Sequence, residues 1–587
     1  MRKLIIKNFN KKDWALILVS VVLIFGQVWL ELKMPDYMSQ ITVLVQTEGS
    51  KMSEIIKNGA YMILCALGSL LSAVVVGYLI ARLSANFSKD LREKLFSKVE
   101  SLSMHEIKGF STSSLITRTT NDVTQIEMFV GMGIQLLIKA PITAIWAITK
   151  ILNKSWQWSA VTATCVVILL AVISILVVLV MPKFKIVQKL TDKLNNVTRE
   201  NLMGIRVVRA FNAEDFQQDR FEDVNNNLTN LQLFNQKTMA IMSPVMYLIM
   251  YMLTLAIYFI GAFLIQDAMM ADKISLFGDM VVFSSYAMQI IMSFLMLAMI
   301  FMILPRASVS AGRINEVLET NVSIQNGSYT NIDTDEVGVV EFKNVSFKYP
   351  DAEEYILKDI SFTAKKGETV AFIGSTGSGK STLINLIVRF YDATSGEILI
   401  DGINVKDYDT EVLYKKIGYV SQKPVIFSGD INYNIAYGEA KNEITEQKIK
   451  DAALVAQAQE FILKMDETYQ TKLAQGGTNV SGGQKQRLSI ARAIARDPEV
   501  YIFDDSFSAL DYKTDATLRS ELKKYTSDAT NLIVAQRIGT IMHADKIIVL
   551  DNGCAVGVGT HAELLKNCDI YKQIALSQLS KEELENA

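Results

Sequence analysis

The first half of the chain contains six apolar stretches, each long enough to cross the hydrocarbon core of a bilayer. The six stretches lie near residues 14–34, 57–81, 128–149, 157–182, 240–266 and 279–304. The chain has 587 residues, too many for one core, and 50% of them are hydrophobic, which is high for a soluble protein. We predict an N-terminal membrane all-α bundle of six transmembrane helices over residues 1–310. Glu31 and Lys33 lie near the end of the first stretch, and we expect them to snorkel toward the interface.

Basic residues are concentrated in two of the loops between these stretches, the loops after the second and the fourth. Their lysines and arginines are Lys89, Arg92, Lys94, Lys98, Lys108 and Arg118, and then Lys183, Lys185, Lys189, Lys193, Arg199, Arg206, Arg209, Arg220 and Lys237. The opposite loops carry little basic charge, at Lys51, Lys154 and Lys273. Because basic loops stay on the cytoplasmic side, we predict a multi-pass protein of the cytoplasmic membrane with both termini in the cytoplasm. We expect no cleaved signal peptide, because the first apolar stretch is too long for one.

The two basic loops have the residue pattern of helices. Apolar residues between 83 and 102 recur every three or four positions, which is typical of an amphipathic helix. We therefore predict long cytoplasmic extensions of the spans, with turns around residues 110–113 and 210–214. These turns are candidates for contact with a cytoplasmic domain; an ordinary solvated hairpin is the alternative.

Methionines form stripes at helical spacing in the last two spans. They are Met242, Met246 and Met250 in the fifth span and Met288, Met292, Met296 and Met299 in the sixth. Methionine adapts to varied apolar shapes, so a cavity for diverse substrates is one interpretation and helix-packing filler is the other. The four cysteines form no CxxC pair, which gives no indication of a zinc site or a disulfide framework. The net charge of −2 argues against a nucleic-acid partner.

The composition changes after the sixth span. Residues 311–335 lose the apolar run and become polar, so we interpret them as a linker. From residue 336 to 587, apolar strands alternate with helical segments, which is typical of an α/β domain.

A glycine-rich loop gives this second domain its chemistry. The apolar strand 369–373 is followed by the loop, and a helical pattern follows from residue 383. The loop consists of Gly374, Ser375, Thr376, Gly377, Ser378, Gly379, Lys380, Ser381 and Thr382. This strand–loop–helix order is the context of a P-loop, in which backbone N–H groups and a helix N-terminus surround phosphate. Lys380 is placed to reach the β/γ-phosphates, and the Ser381 hydroxyl is placed to ligate Mg²⁺.

Further motifs follow in a fixed order around this loop. Tyr349 precedes it, and Gln422 follows a later strand. Val480 to Gln484 reads Val-Ser-Gly-Gly-Gln and leads into a helix. The apolar strand 500–503 ends in Asp504 and Asp505, and a Ser-Ala-Leu-Asp sequence ends at Asp511.

The order of these motifs resembles the nucleotide-binding domain of ATP-binding cassette (ABC) transporters. The six preceding spans resemble the exporter type, in which one chain is half of a transporter, so the resemblance covers essentially the whole chain. It implies ATP and Mg²⁺ as cofactors, a second half-transporter subunit as partner, and the lipid bilayer as surroundings. It also implies that two cassettes enclose two ATP molecules, each held by the phosphate loop of one subunit and the signature of the other.

The resemblance also assigns roles to single residues. Tyr349 would stack on adenine, Gly374 to Thr382 would hold the phosphates, and Ser381, Gln422 and Asp504 would serve Mg²⁺. The signature residues that would close over the partner's ATP are Ser481, Gly482, Gly483 and Gln484. Asp511 would communicate between the two sites, and the turn at 210–215 resembles the coupling helix that reaches the opposite cassette.

The chain departs from the family pattern at two catalytic positions. Asp505 stands where the family has glutamate, and the shorter side chain withdraws the carboxylate by roughly 1 Å, enough to cost about 10²-fold in rate. Gln536 stands where the family has histidine; glutamine donates a hydrogen bond but carries no positive charge. A softer departure is Gln475, where glutamate is usual. The signature itself is intact.

These departures predict a chain that binds ATP and hydrolyses it slowly, as one subunit of a heterodimeric exporter of the multidrug type. Its substrates are predicted to be amphipathic or hydrophobic compounds. A homodimer that tolerates both changes is the alternative assembly. The alternative functions are a regulatory pseudo-ATPase subunit of a membrane channel or sensor, and an importer built on the exporter-type fold.

Overall fold

The computed structural model describes residues 2–47, 49–152, 154–332, 334 and 336–579. Their contacts divide the chain into two compact units. The first unit contains residues up to 100 together with 112–320, and the second contains 101–111 together with the chain from 321 onward. The last helix of the first unit continues to Glu319, so residues 311–319 of the predicted linker are helical.

The N-terminal part of the chain is helical almost throughout. Its helices are α1 (Arg2–Asn8), α2 (Lys11–Gln46), α3 (Met52–Ser101), α4 (Met104–Gly109), α5 (Thr112–Thr117), α6 (Val123–Met128), α7 (Ile134–Leu152), α8 (Trp156–Met203), α9 (Ile205–Ala210), α10 (Glu214–Ala240), α11 (Met242–Asp267) and α12 (Met270–Glu319). Two π-helical turns, Arg118–Asp122 and Phe129–Gly133, join α5, α6 and α7 into one continuous run.

Six helical runs in the described residues are long and apolar enough to cross a membrane: α2, α3, α5 through α7, α8, α10 through α11, and α12. Each predicted span lies inside one of them, which confirms the six-helix prediction. Helices α3 and α12 have 50 residues each, and a rise of 1.5 Å per residue makes them about 75 Å long, more than twice the thickness of a hydrocarbon core. The helices therefore extend well beyond their apolar parts.

Helix α3 shows how such an extension is built. Beyond the apolar part of the helix, Leu83, Phe87, Leu91 and Leu95 are buried at intervals of one turn. They form one apolar face, as the sequence pattern predicts, while most of the remaining residues of the extension are polar or charged.

The charged residues near the end of the first span have partners of opposite charge. The Glu31 carboxylate pairs with Lys139 of α7, and its side chain is 24% exposed, while Lys33 lies 4.0 Å from Asp36. Among the methionines, Met246 is buried in the helix core, whereas Met292 and Met299 are exposed, so the stripes mix packing positions with open ones. The turn after α9 exposes Phe211 almost fully.

The second unit is an α/β domain. Its strands are β1 (Val340–Phe347), β2 (Leu357–Ala364), β3 (Thr369–Gly374), β4 (Ser395–Ile400), β5 (Ile403–Asn404), β6 (Ile417–Val420), β7 (Gly429–Asp430), β8 (Lys472–Leu473), β9 (Val500–Asp504), β10 (Thr530–Val534), β11 (Lys546–Asp551) and β12 (Cys554–Gly559). Its further helices are α13 (Lys380–Ile387), α14 (Thr410–Lys416), α15 (Ile431–Ile435), α16 (Glu446–Val455), α17 (Gln459–Ile462), α18 (Gly482–Ala495), α19 (Tyr512–Tyr525), α20 (Ile538–Ile541), α21 (His561–Asn567) and α22 (Asp569–Gln578).

The main sheet has the strand order β12-β11-β3-β10-β9-β6. Its strands run parallel except for β12, which pairs with β11 in the antiparallel direction. A second, antiparallel sheet has the order β2-β1-β4-β5. This arrangement confirms the predicted α/β fold.

Strand β3 is buried on both faces of the main sheet. Ala371 and Ile373 pack into one apolar cluster, while Val370 and Phe372 pack into the other. A parallel strand covered on both sides reads as a continuous apolar run, which is why the sequence identified it. Ligands of such sheets bind at the carboxyl ends of the strands, and the phosphate loop begins where β3 ends.

Candidate functional site

The phosphate loop connects β3 to α13 and requires glycine at its ends. A Cβ atom at Gly374 would lie 2.0 Å from the carbonyl oxygen of Leu550, a backbone atom that cannot yield. Gly379 has a φ of +101°, and a Cβ there would lie 2.6 Å from Leu357 Cδ2. The loop therefore keeps the bare, tightly curved backbone that a phosphate cradle needs.

Lys380 opens α13 and folds back over this loop. Its Nζ donates hydrogen bonds to the carbonyl oxygens of Gly374, at 2.8 Å, and Ser375, at 2.7 Å. Burial lowers the pKa of Lys380, while the nearby charges of Asp505 and Asp504 oppose that shift. The amine is thus held at the mouth of the loop, where the sequence predicts contact with phosphate.

Ser381 and Asp504 present two oxygen atoms side by side. The Ser381 hydroxyl donates to Asp504 Oδ1 over 3.2 Å. Asp504 ends β9 and is only 6% exposed; burial is the main cause that raises the pKa of its carboxyl, opposed by the bond from Ser381. Hard oxygen ligands of this kind suit Mg²⁺, so the predicted pair fits the metal.

Asp505 lies at the centre of the remaining predicted residues. Its Oδ2 accepts hydrogen bonds from Gln536 Nε2, at 2.8 Å, and from Gln422 Nε2, at 3.1 Å. The backbone of Asp505 is left-handed, with φ of +46°, and its N–H donates to the Val534 carbonyl. Since β6, β9 and β10 are neighbours in the sheet, Gln422, Asp505 and Gln536 meet where these strands end.

Sequence reasoning missed the residue that fixes Gln536. Gln578, the last residue of α22, donates from Nε2 to the Gln536 carbonyl and accepts from the Ile538 N–H at Oε1, both at 2.8 Å. Its side chain thus anchors the backbone on either side of Arg537. Nothing in the local sequence around Gln578 signals this role.

The signature residues form the start of α18. Ser481 caps the helix: its hydroxyl accepts from the Gln484 N–H at 3.3 Å, while Gln484 Oε1 accepts from the Ser481 N–H at 2.8 Å. Ser481 and Gly482 are exposed and Gly483 is half-buried, so this helix N-terminus faces solvent. A solvent-facing N-terminus is a ready place for an anion.

Asp511 is the cap of α19. Its Oδ1 accepts from the Thr514 N–H over 3.0 Å, and this bond is the main cause that lowers the pKa of the carboxyl. The residue predicted to communicate between two sites therefore also has a local structural role.

The ring of Tyr349 packs edge-on against Phe347 and Tyr391, and its hydroxyl lies 3.1 Å from the Thr382 hydroxyl. Above it lies Lys108 of α4, whose Nζ is 5.3 Å from the Tyr349 ring centroid and 5.4 Å from that of Tyr391. Interaction with the Tyr391 hydroxyl is the main cause that raises the pKa of Lys108. The sequence placed Lys108 only among the basic loop residues.

Helix α4 is fixed to the second unit by its own cap. Glu106 Oε2 accepts from the Ser103 N–H at 2.7 Å, and Glu106 Oε1 accepts from the Ser323 N–H at 3.3 Å. The hydroxyls of Ser103 and Ser323 lie 3.0 Å apart. Burial tends to raise the pKa of Glu106, but these hydrogen bonds outweigh it and the net shift is downward.

Comparison with known families agrees with this geometry. Residues 15–294 match the ABC transporter transmembrane region, and residues 357–508 match the ABC transporter family model. An uncharacterised ABC transporter ATP-binding protein of Mycobacterium tuberculosis is 41% identical over 88% of this chain and 87% of its own length. The chain is an ABC transporter. It carries one set of membrane spans and one ATP-binding cassette, so it is a membrane-embedded half-transporter with an ATPase domain.

Other relatives of this ABC transporter are similar over comparable lengths. An uncharacterised ABC transporter ATP-binding protein of Bacillus subtilis is 38% identical, covering 89% of this chain and 90% of its own. The ATP-dependent lipid A-core flippase of Pseudomonas syringae is 33% identical, covering 86% and 82%. The solved structure of a bacterial Atm1-family ABC exporter with ATP bound superposes with a TM-score of 0.81 at 23% identity, over 97% of this chain and 99% of that one. The transporter therefore has the exporter fold.

Proposed function

We propose that this ABC transporter exports amphipathic or hydrophobic compounds across the cytoplasmic membrane, in the manner of a multidrug exporter. The exporter fold supports this direction of transport. The relative named as an ATP-dependent lipid A-core flippase supports an amphipathic substrate. The basic loops support a cytoplasmic location of the cassette and of both termini. We propose a transmembrane domain at 1–310 and an ATP-binding cassette at 336–587.

In this proposal the cassette binds ATP with Mg²⁺. Tyr349 stacks on the adenine, the loop from Gly374 to Thr382 holds the phosphates, and Ser381, Gln422 and Asp504 hold the metal. Bound Mg²⁺ neutralises phosphate charge. Lys380 holds the phosphate end of the nucleotide, and the residues from Ser481 to Gln484 complete the ATP site of a partner subunit.

We further propose that the chain's own site hydrolyses ATP slowly and that its partner is a different half-transporter. The observation that carries this is the pair of amides on Asp505 Oδ2. A carboxylate that polarises water must direct a lone pair at that water. Here both amides donate to Oδ2, so the short Asp505 carboxylate is held toward Gln422 and Gln536, and neither amide supplies a positive charge.

The test is ATP hydrolysis by the purified chain in lipid nanodiscs, alone and with candidate partners that have glutamate and histidine at the two positions. We expect ATP to bind the isolated chain while turnover stays low, and a partner to raise turnover at least tenfold. Ser481→Arg in this chain should abolish that gain, because it blocks the signature that completes the partner's site. Rapid turnover by the isolated chain would overturn the heterodimer. Uptake of a fluorescent amphiphile into inside-out vesicles checks the export direction.

A further inference from the structure

A polar cluster lies inside the membrane-spanning unit, where three predicted spans converge. Glu31 of α2 accepts three hydrogen bonds on one oxygen, Oε1. The donors are Lys139 Nζ of α7 at 3.0 Å, Gln27 Nε2 at 2.8 Å and the Ser69 hydroxyl of α3 at 3.2 Å. Ionisable groups at such positions are expensive in lipid and commonly mark functional sites.

The cluster holds more acceptors than it uses. Among the described residues, no hydrogen bond reaches Glu31 Oε2. Gln27 is 4% exposed, and its Oε1 is buried without a hydrogen-bond partner although its Nε2 is turned toward Glu31. A buried acceptor that lacks a donor is destabilising, so Gln27 Oε1 is incomplete without a further donor, while the partly exposed Glu31 Oε2 is available to accept another hydrogen bond.

A neighbouring ion pair between the same two helices provides a contrast. Asp36 of α2 accepts from Lys150 Nζ of α7 at Oδ2, over 2.7 Å, and from the Tyr286 hydroxyl at Oδ1, over 2.6 Å. Both of its oxygens have donors, as expected of a pair that only holds helices together. The open acceptors at Glu31 and Gln27 are therefore not a general property of the α2–α7 contact.

The cluster is reachable from outside the unit. The side chains of Glu31 and Lys139 are 24% and 19% exposed, so a head group can approach the carboxylate without unfolding the helices. The surrounding spans are apolar and would accept a hydrocarbon tail. Because the charges of Glu31 and Lys139 offset each other, the cluster does not require a further charge. Its free acceptors can instead bind N–H or O–H donors.

We propose that Gln27 and Glu31 form a substrate subsite that takes the hydrogen-bond-donating head group of an amphipathic molecule. The subsite rests on the proposed export of amphipathic compounds and narrows their class to donors such as primary amines. Lys139 and Ser69 position the Glu31 carboxylate by holding Oε1, which leaves the partly exposed Oε2 as the first contact of the head group. A rotation of the buried Gln27 side-chain amide would then bring its Oε1 to the same donor.

Two amphiphiles of equal charge and tail length isolate the donor. Dodecylammonium carries three N–H groups, and dodecyltrimethylammonium carries none. Binding to the full chain in lipid nanodiscs is followed by tryptophan fluorescence, with empty discs as the partition blank. Trp146 of α7 packs against Phe25 of α2, at 4.8 Å between ring centroids, and is a reporter between the same two helices.

We expect dodecylammonium to bind the chain at least tenfold more tightly than dodecyltrimethylammonium. Gln27→Leu and Glu31→Gln should each reduce that ratio to below threefold, while Asp36→Asn, the matched control, should keep it. The double variant Glu31→Lys with Lys139→Glu restores the ion pair and should still lose the preference. If Glu31→Gln does not fold, the affinity ratio measured for Gln27→Leu alone tests the subsite.

Equal binding of the two amphiphiles, an equal loss in Asp36→Asn, or a preference kept by the charge-swapped variant would overturn the subsite. Vesicle transport separates this result from the proposed function. Export without a donor preference would overturn the subsite and leave the export proposal standing. A donor preference without export would overturn the export proposal and leave the subsite standing.

Discussion

The side-chain amide of Gln536 donates a hydrogen bond to the carboxylate of Asp505, with 2.8 Å between Nε2 and Oδ2. The two catalytic positions that the family resemblance singled out as altered are therefore direct partners. Gln422 donates to the same oxygen. The two altered positions and Gln422 thus form one hydrogen-bonded group at the ends of three adjacent strands.

This pairing predicts that the two departures must be reversed together. Asp505→Glu alone should raise ATP turnover of the purified chain only modestly, because Gln536 still donates to the carboxylate. Adding Gln536→His should raise it further, by about 10²-fold over the unaltered chain, the size of effect expected when a misplaced group is restored. Phosphate release under saturating ATP measures this. Asp505→Asn is the control, and a full gain from Asp505→Glu alone would contradict the coupling.

Lys108 should contribute to ATP affinity although it belongs to α4, far from the cassette in sequence. Its ammonium lies over the rings of Tyr349 and Tyr391. The contact holds Tyr349, the ring that we propose stacks on adenine, and is worth about 1 kcal/mol, so Lys108→Met should loosen that ring and weaken ATP binding by up to about fivefold. Calorimetric titration of ATP in detergent measures it. Lys108→Arg keeps the cation and should bind normally; an unchanged Kd in Lys108→Met would contradict the prediction.

Binding of Mg²⁺ should weaken in mild acid. Burial raises the pKa of Asp504 above its ordinary value of 3.8, so the carboxyl takes up a proton at higher pH than an exposed aspartate does. A protonated carboxyl is a poor metal ligand, so the Mg²⁺ dependence of ATP binding should fade as pH drops toward that raised pKa. Titrations of Mg²⁺ at a series of pH values measure this. Asp504→Asn should bind Mg²⁺ weakly at every pH, and a wild-type affinity independent of pH would contradict the assignment.

Lys416 should be needed for the stability of the second unit. Its Nζ lies 2.7 Å from both Asp401 and Glu499, and its side chain is 1% exposed. Lys416→Met would leave the buried Asp401 carboxylate without its cation and, among the described residues, Glu499 with only Lys441, at 3.4 Å, and breaking a buried pair in this way costs about 3–5 kcal/mol. Thermal unfolding of the purified chain should show a clearly lower Tm for the Lys416→Met variant. Lys415→Met, which removes an adjacent lysine paired with Glu439 at the surface, should have little effect; equal losses would contradict the argument.

The sequence predicted the elements whose patterns are local. The apolar runs predicted the six helices, and the strand before Gly374 predicted the phosphate loop. The family resemblance grouped Ser381 with Asp504 at Mg²⁺, and the structure brings the two side chains together because β3 and β9 belong to one parallel sheet whose strand ends meet at one edge.

Relationships between distant segments were not predictable. The pair of Glu31 with Lys139 joins two different spans, and no local pattern links the two residues. The support of Gln536 by Gln578 depends on how α22 packs. The cap formed by Asp511 follows a known local rule, although the sequence pointed to Asp511 only through the family resemblance.

The second unit is not a continuous piece of chain, because it includes residues 101–111. A fragment that starts at residue 321 would lack Lys108 and Glu106, and so would leave Tyr391 and the Ser323 N–H without their neighbours. Exchanging C-terminal halves between two transporters would likewise place α4 of one protein against the cassette of the other. Engineered chimaeras of this protein therefore need two splice points in the membrane half, so that the short helix travels with the cassette it fits.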